Sequence, residues 1–255
     1  MKVITVISDP TESGYELLKL SCAINKLSLV TLVCHQEKFS SNRKKDALLS
    51  KYLQTLDEQE IILFTDGYDS FFLADEKEIL EKYKNSSDRI LFSAEMNCYP
   101  DTNLEKFYPA VNTPYRFLNS GGFIGKAGAI KEMFLKDLSG EEDKFRYSNQ
   151  YLWSLRFIQF PQYISLDTQC DIFCTFSSDI SREILTETDP ANLAMKYKKM
   201  EDWFKLNFQL KGHRLRNQIT GTLPSIAHFN GRSKYLMKGE VLELIYSRVY
   251  PIDIV

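Results

Sequence analysis

A chain of 255 residues, 44% hydrophobic and 26% charged, can bury a sizeable core and suits one large α/β domain better than two small ones. Its 32 basic and 34 acidic residues nearly cancel, which argues against a general field drawing it to nucleic acid or an anionic membrane. Five cysteines are odd in number and too sparse for a disulfide framework, and Cys170 and Cys174 lack the spacing and neighbouring histidines of a zinc site, so buried, reduced thiols are expected.

The opening run Val3-Ile4-Thr5-Val6-Ile7-Ser8 reads as a strand, without the basic, apolar and small-residue order of a secretory signal before it. No apolar stretch is long enough to span a bilayer. The expectation is a soluble chain, cytoplasmic by default, with association to the secretory pathway left open. A turn-rich loop, Asp9 to Gly14, leads to a helical pattern at Tyr15 to Ala23, and Val30 to Cys34 is the next strand. This β-α-β opening begins a doubly wound sheet but lacks the Gly-x-Gly-x-x-Gly turn of a dinucleotide site and the Gly-Lys-Ser/Thr of a P-loop. A phosphate must therefore be held in another way, and a metal would do it.

Arg43-Lys44-Lys45 opens a helix expected over about 43–56, as a solvated basic start or with one lysine reaching a phosphate. Ile61-Ile62-Leu63-Phe64-Thr65 then runs into Asp66-Gly67-Tyr68-Asp69. A short apolar run stopped by Asp-Gly reads as a central strand of a mostly parallel sheet, and ligands bind beyond the carboxyl ends of such strands. Two close carboxylates repel, and a divalent cation makes their proximity favourable. The alternative is that Asp66 opens a turn and Asp69 caps the next helix.

Glu76 to Lys84 is an amphipathic helix, and strand 90–95 again ends in an acid, Glu95, at the same rim. Cys98-Tyr99-Pro100-Asp101 is a rigid aromatic loop. In Phe117-Leu118-Asn119-Ser120-Gly121-Gly122-Phe123-Ile124-Gly125 the paired glycines mark close backbone approach, to a neighbouring strand or, as the context favours, to a sugar. Helical segments follow at about Ala129–Leu138 and Asn149–Phe157, the latter with Trp153 and Phe157 as core. Region 164–177 reads as two short strands set antiparallel. The polar stretch 178–221 shows only a helix near 190–203. The strand 225–228 ends in His228-Phe229-Asn230-Gly231-Arg232-Ser233-Lys234, where a histidine beside a glycine turn and cations suits a metal and phosphate corner better than a core.

In this order, Glu12-Ser13-Gly14-Tyr15, Asp66-x-x-Asp69, Phe92-Ser-Ala-Glu95, Cys98-Tyr-Pro-Asp101, Phe117 to Gly125 and His228-x-Asn-Gly231 with Lys234 resemble the glycosyltransferase domain of the procollagen lysyl hydroxylases over roughly residues 3–240. The resemblance implies an α/β GT-A (Rossmann-like) fold. It also implies Mn²⁺-dependent transfer of glucose from UDP-glucose to galactosyl-hydroxylysine of collagen or collagen-like chains, with retained configuration. It places the metal on Asp66, Asp69 and His228, with Tyr68 against the uracil, Ser8 in the nucleotide pocket, and Lys44 or Lys45 together with Lys234 on phosphate. Asn119, Gly121 and Gly122 would border the sugar, and Tyr99, Asn230 and Gly231 complete the donor-binding set.

Two departures stand out. Tyr99 replaces the family's Trp, and the family's poly-aspartate run is reduced to Ser148-Asn149-Gln150, with acids displaced to Glu141, Glu142 and Asp143. Glu95 and Asp101 become the substitute carboxylates, and Asn149 a hydrogen-bond partner for a sugar hydroxyl. The nucleotide-sugar and metal half is expected over about 1–125 and the acceptor half over about 126–255. With no room before Val255 for the hydroxylase domain, the chain looks like a free-standing transferase similar to the collagen-glucosylating enzyme of giant viruses. Galactose transfer from UDP-galactose to hydroxylysine, a non-catalytic UDP-sugar or collagen-binding module, and a homodimer remain open.

Overall fold

The computed structural model describes residues 1–35, 40–84, 89–138, 140–141 and 144–249. Its strands are β1 Lys2–Ile7, β2 Leu29–Val33, β3 Ile61–Thr65, β4 Ser70–Phe72, β5 Ile90–Glu95, β6 Phe117–Lys126, β7 Ile164–Asp167, β8 Phe173–Thr175, β9 Phe208–Lys211, β10 Arg214–Asn217 and β11 Ile226–His228. Its α-helices are α1 Ser13–Ile24, α2 Arg43–Leu53, α3 Glu76–Lys84, α4 Ala127–Leu135, α5 Asn149–Gln159, α6 Asp179–Thr186, α7 Pro190–Asn207 and α8 Glu240–Val249.

Six strands form the main sheet in the order β2-β1-β3-β6-β5-β7. All its pairings are parallel except the two made by β6. The parallel strands are near-continuous apolar runs because helices cover both faces. On one face Leu49 and Leu53 of α2, Ile130 and Met133 of α4 and Trp153 of α5 pack against Phe64, Phe92 and Phe123. The Trp153 ring lies 4.9 Å from Phe92 and 5.7 Å from Phe123, so it belongs to the core, as its helical spacing with Phe157 suggested. On the other face Leu18 and Cys22 of α1 and Ile79 of α3 meet Val3, Leu63 and Ile124.

A second, three-stranded sheet, β4-β11-β8, stands beside the first. Under it Phe71, Phe176, Phe204, Phe208 and Phe229 form a separate aromatic core, with Phe176 stacked on Phe229 at 4.2 Å. The two strands expected as an antiparallel pair over 164–177 in fact serve different sheets: β7 extends β5, while β8 runs parallel to β11. The Asp167 carboxylate makes the switch, accepting from the backbone N–H groups of Asp171, Ile172 and Phe173. The helix near 190–203 is α7, which has Pro190 at its start and Asp189 capping it by accepting from the N–H of Asn192.

The polar stretch also holds the antiparallel hairpin β9–β10, whose turn contains Gly212 at φ 58°. All five cysteines are buried and unbridged. No helix among the described residues is long and apolar enough to cross a membrane.

Candidate functional site

The chain passes from the large sheet to the small one between Asp66 and Asp69. Asp66 follows the last residue of β3, where its N–H donates to the carbonyl of Gly121 on β6 at 2.8 Å. Asp69 precedes β4, and its carbonyl accepts from the N–H of Phe229 at 2.7 Å. The antiparallel register of β4 and β11 sets His228 opposite Ser70. Two carboxylates three residues apart and an imidazole some 160 residues later thus converge where the sheets abut.

One ligand-capable atom from each of the three side chains lies within 4.8 Å of the others. His228 Nε2 is 3.5 Å from Asp69 Oδ1 and 3.8 Å from Asp66 Oδ2. The ring is 2% exposed, and neither of its nitrogens makes a hydrogen bond. A buried, unpartnered imidazole nitrogen aimed between two carboxylates is costly for the bare protein but fits a divalent cation that accepts mixed oxygen and nitrogen donors. Burial disfavours charge at Asp69 and His228 alike. Even so, His228 and Lys234 hold the Asp69 carboxyl below its usual range, and Asp69, Asp66 and Glu95 hold the imidazole above its own. Lys45 Nζ contacts Asp66 Oδ1 at 2.5 Å and Lys234 Nζ contacts Asp69 Oδ2 at 3.1 Å, so each acid already carries a cation.

The triad lines a cleft of about 580 Å³. Within it Glu95 is 4% exposed and surrounded by amides. Its Oε1 accepts from Asn119 Nδ2 at 3.0 Å and Gln150 Nε2 at 2.7 Å, and its Oε2 from Asn230 Nδ2 at 2.9 Å. Burial pushes its carboxyl above the ordinary range despite these donors. The three amides come from β6, α5 and the loop after β11, so one carboxylate fixes three walls of the cleft. Sequence reasoning assigned no part to Gln150, which also donates to the carbonyl of Tyr99 and accepts from the N–H of Ser120. Its partners lie from 30 to 55 residues away, which no local spacing reveals.

Ser8, Lys45, Asp66, Tyr68, Asp69, Glu95, Tyr99, Asn119, Gly121, Asn149, His228, Asn230, Gly231 and Lys234 all line the cleft. The Tyr68 hydroxyl accepts from the N–H groups of Ser8 and Asp9, both at 2.6 Å, which pins its ring beside the end of β1. Asn149 donates to Asp46 at 3.0 Å and accepts from Ser120 Oγ at 3.3 Å. Burial raises the Asp46 carboxyl to about 6 against that bond.

Three expectations need correction. Lys44 is exposed and outside the cleft, because one step along α2 turns a side chain about 100° from its neighbour. Asp101 is not in the lining either; its carboxylate accepts from the N–H and side chain of Asn103 and caps a 3₁₀ turn over Thr102–Phe107. Gly122 faces Phe173 rather than a sugar, since a Cβ there would lie 2.7 Å from the ring. Gly121 does border the cleft, yet its missing Cβ makes room for the triad itself, lying 2.2 Å from His228 Cε1 and 2.9 Å from Asp66 Oδ2 when built. Of the displaced acids, Glu141 accepts from the Tyr151 hydroxyl, while Glu142 and Asp143 lie outside the described residues.

The chain matches the family model described as the PLOD GT domain over residues 1–198. It is 29% identical to rat procollagen-lysine,2-oxoglutarate 5-dioxygenase 1 over 243 residues, and 30% identical over 243 residues to the rat multifunctional procollagen lysine hydroxylase and glycosyltransferase LH3. Each comparison takes in 91% of this chain and 30% of the relative, so the chain spans under a third of the length of these two curated relatives. Among solved structures it resembles a glycosyltransferase involved in glycosylation of the major capsid of PBCV-1, with TM-score 0.50, 11% identity, and coverage of 96% of this chain and 98% of that one. A family match over more than half the chain, on a mostly parallel sheet with the metal-competent acids at the end of β3, makes this protein a member of the PLOD GT domain family, glycosyltransferases of the α/β GT-A fold.

Proposed function

We propose that the protein moves glucose from UDP-glucose to galactosyl-hydroxylysine of collagen or collagen-like chains, with Mn²⁺ and with retained configuration. The observation that carries this reading is the buried, unpartnered His228 imidazole set between Asp66 and Asp69 in a chain of this family. Those three side chains would hold the metal, and when bound it would supply Lewis-acid stabilisation of charge on the departing diphosphate. Lys45 and Lys234 flank the same corner and would neutralise the phosphates, with Gly231, at φ 60°, turning the chain past them. Ser8 and Tyr68 would border the base, Tyr99 and Asn230 the rest of the donor, and Asn119, Gly121 and Asn149 the sugar. In this reading residues up to about 125 carry most of the donor site, and the later half adds the acceptor side.

The lining favours a one-step transfer. Double displacement needs a free nucleophile to attack the anomeric carbon, in glycosyl chemistry most often a carboxylate. Among the described lining residues the carboxylates are Asp66, Asp69 and Glu95, and Glu95 has both oxygens taken by amides. The acceptor hydroxyl would then form its bond to the anomeric carbon on the face from which the bond to the phosphate oxygen breaks, and its proton would pass to that oxygen. Glu95 acts as a positioning residue that holds Asn119, Gln150 and Asn230.

The same amide-locked carboxylate supports a second reading, a UDP-sugar-binding module without turnover. UDP release from UDP-glucose and from UDP-galactose, with and without Mn²⁺ and with galactosyl-hydroxylysine or hydroxylysine as acceptor, separates the readings. Release only with UDP-glucose, Mn²⁺ and the galactosylated acceptor is expected. Release with UDP-galactose and hydroxylysine would move the protein to the preceding transfer, and Mn²⁺-dependent UDP binding without release would favour the module. Asp66→Ala and Asp69→Ala should each weaken Mn²⁺-dependent UDP binding by roughly a hundredfold or more, and His228→Ala by less because no charge is removed. Calorimetric titration of UDP into each variant checks that order.

A further inference from the structure

Among the described residues four cations line the cleft, Lys45, Arg182, Arg232 and Lys234. Lys45 and Lys234 are engaged with Asp66 and Asp69. Arg182 lies in the second turn of α6, and Arg232 near the start of the 3₁₀ turn Gly231–Leu236, against which α6 packs. Both side chains are exposed, and neither makes a hydrogen bond or ion pair among the described residues, although Asp179 and Glu183 sit on the same helix as Arg182.

The donor site needs neither of them. Two aspartates match a divalent cation, and the two negative charges of a nucleoside diphosphate diester match Lys45 and Lys234. Even with Glu95 ionised, one positive charge is left over among the described lining residues. Exposed apolar and aromatic side chains line the same cleft: Leu185, one α6 turn on from Arg182, is 56% exposed and Tyr99 is 50% exposed. A rim that combines two unpaired guanidiniums with exposed apolar side chains matches an extended peptide carrying carboxylates, because guanidinium binds carboxylate in a planar, two-pronged fashion.

We propose that Arg182 and Arg232 form an acceptor-side anion site, so that the preferred acceptor is an acidic peptide with a Glu or Asp close to the modified residue. This rests on the transferase reading for the identity of the peptide, but the surplus of cations and its effect on peptide binding do not depend on turnover.

The experiment measures fluorescence anisotropy of labelled galactosyl-hydroxylysine peptides bearing Glu, Gln or Lys at the flanking positions. The full chain is used with UDP and Mn²⁺ present, as wild type, Arg182→Glu, Arg232→Glu and the double variant. Wild type should bind the Glu peptide about five- to tenfold more tightly than the Gln peptide, an advantage that salt erodes. The double variant should reverse the order toward the Lys peptide. Equal binding of Glu and Gln peptides by wild type, or an unchanged preference in the double variant, overturns the proposal. So does a fall in UDP affinity in Arg232→Glu that matches its fall in peptide affinity, since the arginine would then belong to the donor. UDP release measured with the same peptides tests the transferase reading separately: charge-dependent binding without release leaves the anion site standing and removes the transfer.

Discussion

Gly121 and Gly122 are adjacent in sequence and opposite in consequence, because successive residues of β6 face opposite sides of the sheet. A methyl group at 121 would collide with the His228 ring and crowd Asp66, whereas one at 122 would press on the Phe173 ring in the core. Gly121→Ala should therefore lower Mn²⁺ affinity by more than about tenfold as His228 is pushed off its position. Gly122→Ala should cost about 1–3 kcal/mol of stability through overpacking while the folded protein keeps its metal affinity. Free Mn²⁺ measured by electron paramagnetic resonance, alongside urea unfolding, tests both at once, and equal metal affinity in the two variants would remove Gly121 from the site. The pair also shows where residue-level reading stops. Two glycines announce close approach, but what approaches them comes from β8 and β11, 51 and 107 residues further on, and only the paired strands reveal it.

At the scale of elements, α3 is tied to the β9–β10 hairpin by Glu78. Its carboxylate takes both guanidinium nitrogens of Arg214, at 2.7 and 2.8 Å, and Lys82 at 2.7 Å. Partial burial opposes its ionisation, but Arg214 and Lys82 prevail and bring its carboxyl from 4.5 down to about 2. A carboxyl with a depressed folded pKa adds stability that is present above its unfolded value and lost as pH falls through the folded one. The stability gap between wild type and Glu78→Gln should thus be full at pH 7 and shrink steadily below about pH 4.5 toward pH 2. Urea midpoints across that range check it, and a gap independent of pH would mean that the clamp works through shape rather than charge. The hairpin itself was illegible in the sequence. Leu210 and Leu215 alternate with polar neighbours over only four residues per strand, too short a period to separate from loop. By contrast β1, β3 and β5 were legible because both their faces are buried and nearly every position inside them is apolar or small. The acids and histidine that end strands were legible for the same reason, since a charge closing an apolar run must face something other than the core. Asp101 misled because a capping carboxylate and a catalytic one follow the same local pattern, and the difference is made by Asn103, two residues on, rather than by any distant group.

Across the whole molecule, Asp66, Asp69 and His228 bring side chains of opposite character together where the two sheets abut. Asp66 belongs to the end of the six-stranded sheet, and Asp69 and His228 to the three-stranded one. A divalent ion held by all three would add a cross-link between two layers already joined by the Asp66–Asp69 connection, by the β7-to-β8 switch and by the Thr175 hydroxyl donating to the carbonyl of Ala94, and it would bind the folded chain far better than the unfolded one. Mass action then raises stability by RT ln(1 + [Mn²⁺]/Kd), about 2.7 kcal/mol at a hundredfold excess over Kd. For a chain of this size, with about 2–4 °C per kcal/mol, the melting temperature should rise by roughly 5–10 °C. Asp66→Asn keeps the shape and the core while removing one ligand charge, so its melting curve should hardly respond to Mn²⁺. If that variant were still stabilised by the wild-type amount, the ion would be binding elsewhere, and the convergence of the two sheets on Asp66, Asp69 and His228 would be packing alone. Should wild type itself show no shift at saturating Mn²⁺ without UDP but a full shift with it, the diphosphate would be completing the ligand set, and the cross-link between the sheets would form only in the donor complex.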